Sequence, residues 1–525
     1  MAAVRRSIQS LQKDYDDGNR APLESLVKAW RGIMALPPYH PNSFFCIGGF
    51  HGEPFRGPGV TNPDWWGGYC NHANVLFPTW HRAYLLRLEN ALRSIDGCED
   101  VRLPYWDETL DTENPIPAIF TSPTFPLVGG DPNPLYSYAL QEALVNHAND
   151  NRYTKHRGYQ TVRYPLSGLV GTEADRANTA NHNEIYADAD QNVTILRKNV
   201  TAWLTGTVEI PDDGSGARIP DTYSVLSRYK LCLEAPNYTV FSNTRSQNQW
   251  IEDNNPGGRH YVVSLESPHN AIHLAVGGFY QRGKYNASPI IGANGDMGAN
   301  ETASFDPIFF FHHCFIDYAF WKWQELNDST ARGSLNVIRG YAGTVVPERG
   351  GVPFLPPGTE LNMDTSLYPF RKPDQKYYSS QDVTDIRELG YDYEPGSLDP
   401  LVWSPSIRLP EIEKEIVGFK RVHNINRADY SGSFVIRTFV QTNPSNKTEI
   451  GHEAVLSRRN IADCANCQDK LDVQSLVPIY KGMLGALFRD AQDQVEYSVE
   501  IHTHDSFDTS IDPALKRGRP VVDDL

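Results

Sequence analysis

The sequence predicts a mainly α-helical domain followed by a smaller, β-rich one. Three observations carry that expectation. Apolar residues recur at helical spacing in several segments before residue 395, and a Pro-rich connector, "EPGSLDPLVWSPSIRLP", follows them. Beyond the connector, apolar and polar residues alternate as in half-buried antiparallel strands. We place the helical domain at 1–395, the linker at 396–415 and the β-rich domain at 416–525. A chain of 525 residues and 59.0 kDa is long for one core, which suits more than one domain.

Taken in order, the first helix is expected near "SLVKAWRGIMAL". The clearest is "FPTWHRAYLLRLENALRSI", where His81, Leu85, Leu88, Leu92 and Ile95 recur at steps of three and four. That spacing puts His81 on the buried stripe. In "SPHNAIHLAV", Ser267 is the expected N-cap with Pro268 at the first helical position. In "DPIFFFHHCFIDYAFW", Asp306 and Pro307 take those places. Long loops at 106–140 and 281–304 exceed the usual connector length, which is typical of functional loops. "GSFVIRTFVQT" and "VEYSVEIHTHDS" read as the half-buried strands. His502 and His504 alternate there, share one face, and are expected at the surface. The tail, "ALKRGRPVVDDL", shows no period.

Composition narrows the function. A net charge of −16 argues against nucleic acid or an anionic membrane surface as partner. No run of eighteen apolar residues suggests a membrane span, and the opening segment lacks the apolar core of a secretion signal. A cytoplasmic location is the resulting expectation. Composition sets no oligomeric state, and a homo-oligomer is compatible with it. Seven cysteines at irregular spacing do not suggest a disulfide framework.

The 16 histidines fall into groups. His51, His72 and His81 form one; His269, His273 and the adjacent pair His312–His313 form another. Histidines four apart on a helix share a face and can hold one metal. A zinc-protease reading requires glutamate directly after the first of them, where this chain has Asn270. Imidazoles buried among Phe309, Phe310, Phe311 and Phe315 need a hydrogen-bond partner or a metal. Neighbouring helical residues point about 100° apart, so His312 and His313 do not serve one site equally. Sites built from imidazole alone suit copper, and a dicopper pair could take up dioxygen as peroxide.

"CNHANVLFPTWHRAYLLRLE" and "DPIFFFHHCFIDYAFWKW" resemble the two copper signatures of the tyrosinase family, the type-3 copper enzymes, over most of residues 1–395. Within that family the chain resembles the longer, fungal-type members with a C-terminal domain. The resemblance implies a four-helix bundle around a dicopper centre, covered by a β-sandwich-like domain until cleavage, acid or detergent displaces it. By motif, His51, His72 and His81 would hold the first copper, and His269, His273 and His313 the second, with His312 turned aside. It further implies a thioether between Cys70 and His72, pocket walls from Phe77 and Phe309, and a water held by Glu266 and Asn270 that deprotonates phenol. Glu266 at a helix start would equally stabilise the helix dipole. Asn300 lies where the family places a gate over the second copper.

Tyr318 replaces the family's usual arginine after Asp317, which puts that arginine's salt bridge in doubt. Tyr391 and Tyr393 resemble a closing tyrosine motif, and Arg5 is the candidate partner. Two soft thiolates, Cys464 and Cys467 in "CANC", suit cuprous ion and copper loading, with inert thiols as the alternative. The implied activity is ortho-hydroxylation of monophenols and oxidation of o-diphenols to o-quinones with dioxygen. The rivals are a catechol or o-aminophenol oxidase with the same site, and a hemocyanin-like oxygen carrier.

Overall fold

A computed structural model describes residues 3–53, 68–126, 130–146, 149–206, 220–255, 260–282, 287–348, 352–403, 415–443, 446–459, 461, 467, 471–483, 495–504 and 519–525. Prolines in the first turns of α1 (Ala21–Ala35) and α2 (Phe77–Arg93) occupy positions that need no helical N–H. Helix α3 (Glu266–Gly277) starts before the expected cap. The Ser267 hydroxyl is drawn instead to Glu453 Oε1, 3.0 Å away, and to Arg228. The helix closes at Gly278, whose φ of 119° is the left-handed conformation glycine tolerates. Helix α4 (Ile308–Leu326) begins one residue later than expected. Asp306 still accepts from the Ile308 N–H at 3.2 Å, but its carboxylate is also gripped by Arg163 at 2.7 and 2.5 Å.

Helix α4 is buried from Ile308 to Gln324 and packs against α2 and α3, while α1 lies on α2. An apolar face all round is the mark of a central helix. A parallel pair, β1 (Ala3–Arg5) with β2 (Tyr391–Tyr393), ties the two ends of the helical part together. Here Arg5 donates to Glu89 at 2.8 Å and lies 3.5 Å from the centre of the Tyr391 ring. Asp317, the residue before Tyr318, is bridged by Arg82 at 2.5 Å and accepts from both tyrosine hydroxyls, at 2.7 and 2.6 Å. Arg82 and Arg5 thus make the ion pairs left in doubt by Tyr318, whose own hydroxyl donates to Asp399 at 2.5 Å.

The C-terminal part is two antiparallel three-stranded sheets. One orders β6 (Asp472–Tyr480), β3 (Ile416–Asn426) and β8 (Val521–Asp524); the other orders β7 (Glu496–His502), β4 (Phe434–Asn443) and β5 (Asn446–Val455). The expected half-burial of β4 is wrong. Ile436 faces the sandwich core while Val435 joins the core of the helical part, so both faces are covered. A strand covered on both sides reads as a near-continuous apolar run, as "FVIRTFV" does. The tail contributes β8 without any apolar period, because backbone pairing and Asp523 contacts to His423 and Arg421, at 2.9 and 3.3 Å, hold it. His502 and His504 are buried, not superficial, since their sheet packs against the helical part. Among the described residues no helix is long and apolar enough to cross a membrane.

Candidate dinuclear metal centre

Each first-group histidine arrives on a different element. His51 follows the short helix Phe44–Gly49, His72 sits on the loop before α2, and His81 stands one turn into α2. Gly52 lets two loops touch: a Cβ there would lie 2.0 Å from the Glu301 carbonyl oxygen. The contact puts the Asn300 carbonyl 3.1 Å from His51 Nδ1. His81 Nδ1 likewise lies 2.8 Å from the Phe77 carbonyl. A ring whose Nδ1–H donates to a carbonyl carries its lone pair on Nε2, so these partners fix the ligand tautomer.

The second group is built on helices. His269 and His273 lie one turn apart on α3, and His313 faces them from α4. Their partners are Asn270 Oδ1 on His269 Nδ1 at 3.0 Å and the Met297 carbonyl on His273 Nδ1 at 2.9 Å. Gly277 permits the second bond, since a Cβ there would sit 1.8 Å from the Gly298 nitrogen. His269 Nε2 and His273 Nε2 then lie 3.2 and 3.1 Å from His313 Nε2. In each group the candidate ligand atoms lie within 4.8 Å of one another. The groups adjoin: the His81 and His313 rings stack with centroids 4.6 Å apart.

Burial, then repulsion between neighbouring rings, holds His51, His269 and His313 well below the ordinary imidazole range; burial and His312 do the same for His273. All four are neutral near pH 7, the form that binds metal. Buried neutral rings with Nε2 atoms converging and no carboxylate among them fit a pair of copper ions.

His312 falls within the second group but has another partner. Its Nδ1 is hydrogen-bonded to Glu108, which also accepts from the Tyr229 hydroxyl at 2.6 Å. Burial pushes Glu108 well up and His312 down to about 3, so the pair sits uncharged. Sequence reasoning missed Glu108, whose only signal was the length of the loop at 106–140, and Tyr229, on the helix Val225–Leu233, which carried none.

Phe309 stacks on His313 with centroids 4.0 Å apart, and Phe77 packs against His81 and His269 at 4.8 and 4.9 Å. Glu266 ties a loop to a helix start: Oε1 accepts from the Ala73 N–H at 2.7 Å, and Oε2 from the N–H and hydroxyl of Thr244, the first residue of the helix Thr244–Asn254, at 3.1 and 3.2 Å. Cys70 is buried. Asn300, expected over the second metal, makes its hydrogen bonds at the first, to His51 and, through Nδ2, to Cys70 Sγ at 3.7 Å. Cys464 lies outside the described residues. Cys467 is disulfide-bonded, so it offers no thiolate to cuprous ion unless reduced.

A family model described as the common central domain of tyrosinase matches residues 41–326. The chain is 46% identical over 522 residues to tyrosinase HcTyr2 of Hahella sp. (strain CCB-MM4), spanning 95% of this chain and 91% of that protein. It is 41% identical over 495 residues to a tyrosinase of Aspergillus oryzae, spanning 90% and 88%. The solved structure of tyrosinase from Burkholderia thailandensis at low pH superposes with a TM-score of 0.79 at 41% identity, covering 100% of both chains.

Proposed function

Because the chain belongs to the tyrosinase family of type-3 copper oxidases, we propose that it hydroxylates monophenols at the ortho carbon and oxidises the resulting o-diphenols to o-quinones. The observation that carries this reading is the convergence of two buried, carboxylate-free imidazole groups with adjoining rings. Copper held by His51, His72 and His81, and by His269, His273 and His313, would supply the redox chemistry that activates dioxygen.

The chain's own groups do the rest. Phe77 and Phe309 give a phenol ring an apolar wall and keep bulk water off the histidines. Glu266 Oε1 accepts one backbone N–H and keeps a lone pair for a water, and the Asn270 amide beside His269 gives that water a second partner. Such a water takes the phenol proton. Cys70 and His72 are the proposed thioether pair. A cleft of about 720 Å³ between residues 244–253 and the sandwich has Ala73, the neighbour of His72, in its wall. We take it as the phenol route beneath the C-terminal cover.

The test compares rates and lag on tyrosine and on a catechol with copper-loaded protein. Ortho-hydroxylation of tyrosine is expected. Catechol turnover without it would leave a diphenol oxidase, and reversible oxygenation without turnover would leave an oxygen carrier.

A further inference from the structure

The β-rich domain touches the first histidine group through three consecutive residues after β5. The Ser457 carbonyl accepts from the Asn300 N–H at 3.3 Å, and the Asn300 carbonyl in turn orients His51. Arg458 Nη2 donates to the His51 carbonyl at 2.9 Å and lies 3.4 Å from Cys70 Sγ, two residues before His72. The Arg459 N–H donates to Glu301 Oε1 at 3.0 Å, and its guanidinium reaches the Asn294 side chain. Ser457 is itself fixed to the sheet, its N–H donating to Ser433 Oγ at 2.9 Å. Ser457 and Arg458 are 1% and 4% exposed, so these bonds are made away from water.

The two groups differ in what holds them. His269, His273 and His313 ride on helices, and the ring partners of the first two, Asn270 and Met297, lie outside the β-rich domain. In the first group His51 and His72 lie on loops, and only His81 is helical. A ligand on a loop needs outside restraint, because ordering it on metal binding costs conformational entropy.

We propose that Ser457–Arg459 is a positioning element of the first copper site, with Arg458 stapling together the loops that carry His51 and His72. The domain that covers the centre then also holds its first metal. This rests on the assignment of His51 and His72 to the first copper.

The test uses the full chain, copper-loaded, as wild type, Arg458→Ala, Arg458→Lys and Ser433→Ala. Each is challenged with the cuprous chelator bathocuproine disulfonate, and copper per chain is counted. Wild type is expected to keep two. Arg458→Ala loses one at about tenfold lower chelator, the low end for a residue behind the ligands, and keeps the other, which also reports that the helical part is folded. Arg458→Lys, whose ammonium can reach one acceptor but not bridge two, falls between. Ser433→Ala weakens the same metal without touching Arg458. Loss of neither metal, or of both together, in Arg458→Ala and Ser433→Ala overturns the proposal. A wild-type chain that binds fewer than two coppers overturns the assignment beneath it.

Discussion

His273 Nε2 and His313 Nε2 lie 3.1 Å apart, inside the protein, with His273 Nδ1 bonded to the Met297 carbonyl. The His273 proton is thereby placed on Nδ1, and a bare lone pair faces its neighbour. A second lone pair, from His269, points to the same atom of His313. Burial raises the cost of that crowding, and a cation removes it.

Replacing His273 with alanine should therefore take the second metal alone. Copper per chain, counted after chelator challenge, is expected to fall from two towards one. The affinity lost at that site should exceed the 10–100-fold typical of a residue behind the ligands. Phenol turnover should vanish with it.

Glu266 is expected to matter twice. In Glu266→Gln an amide NH₂ faces donors where a carboxylate accepted, at Ala73 or at Thr244. One unmet buried donor costs about 1–3 kcal/mol, readable by denaturant unfolding. Under the proposed role of Glu266 in holding the water that takes the monophenol proton, the rate on a monophenol should drop further than the rate on a catechol.

Asp317 sits between Arg82 and Arg5, with the buried partners at 2.5 and 3.4 Å. Burial raises its pKa, but the two guanidinium groups outweigh that and hold it below the ordinary value. Asp317→Asn leaves the buried Arg82 without its carboxylate, while Arg5 keeps Glu89 at 2.8 Å, at an expected loss of about 3–5 kcal/mol in chemical denaturation.

Docking of the β-rich domain should weaken in acid. His504 packs on Phe279 with ring centroids 4.1 Å apart and bonds to the Ala293 carbonyl at 3.1 Å. Burial, with Arg459 and Lys155 adding to it, lowers its pKa from 6.5 to about 3. An undocked His504 takes a proton near 6.5 and a docked one does not until about 3. Stability is therefore complete above the upper value and falls below it, by about 1.4 kcal/mol per pH unit. His452 and His502, also lowered by burial, act in the same direction. Protection factors along residues 279–282, taken relative to the intrinsic exchange rate at each pH, should fall between pH 7 and 5, and His504→Gln should flatten that dependence.

Much of the centre was legible because helical spacing is a strong local signal. Two histidines four apart, or one on an apolar stripe, point at their site from sequence alone. Glu108, Tyr229 and Arg458 carried no such mark, since Glu108 meets His312 and Arg458 meets His51 across 204 and 407 positions, and Tyr229 meets Glu108 across 121. The β8 strand was invisible for a related reason: "VVDD" is held by backbone pairing and surface charge rather than by an apolar period. Misplaced helix starts trace to Ser267, whose hydroxyl is held by Arg228 and Glu453, and to Asp306, whose carboxylate is shared between Ile308 N–H and Arg163.

The pairing of Ala3–Arg5 with Tyr391–Tyr393 has a consequence for synthesis. Arg5 leaves the ribosome 388 positions ahead of Tyr393, whose hydroxyl it reaches. Until then Ala3–Arg5 lacks the strand it pairs with, and closing so long a loop is entropically slow. Translation should therefore complete the helical part only when residue 393 emerges, with the sandwich assembled last upon a finished surface.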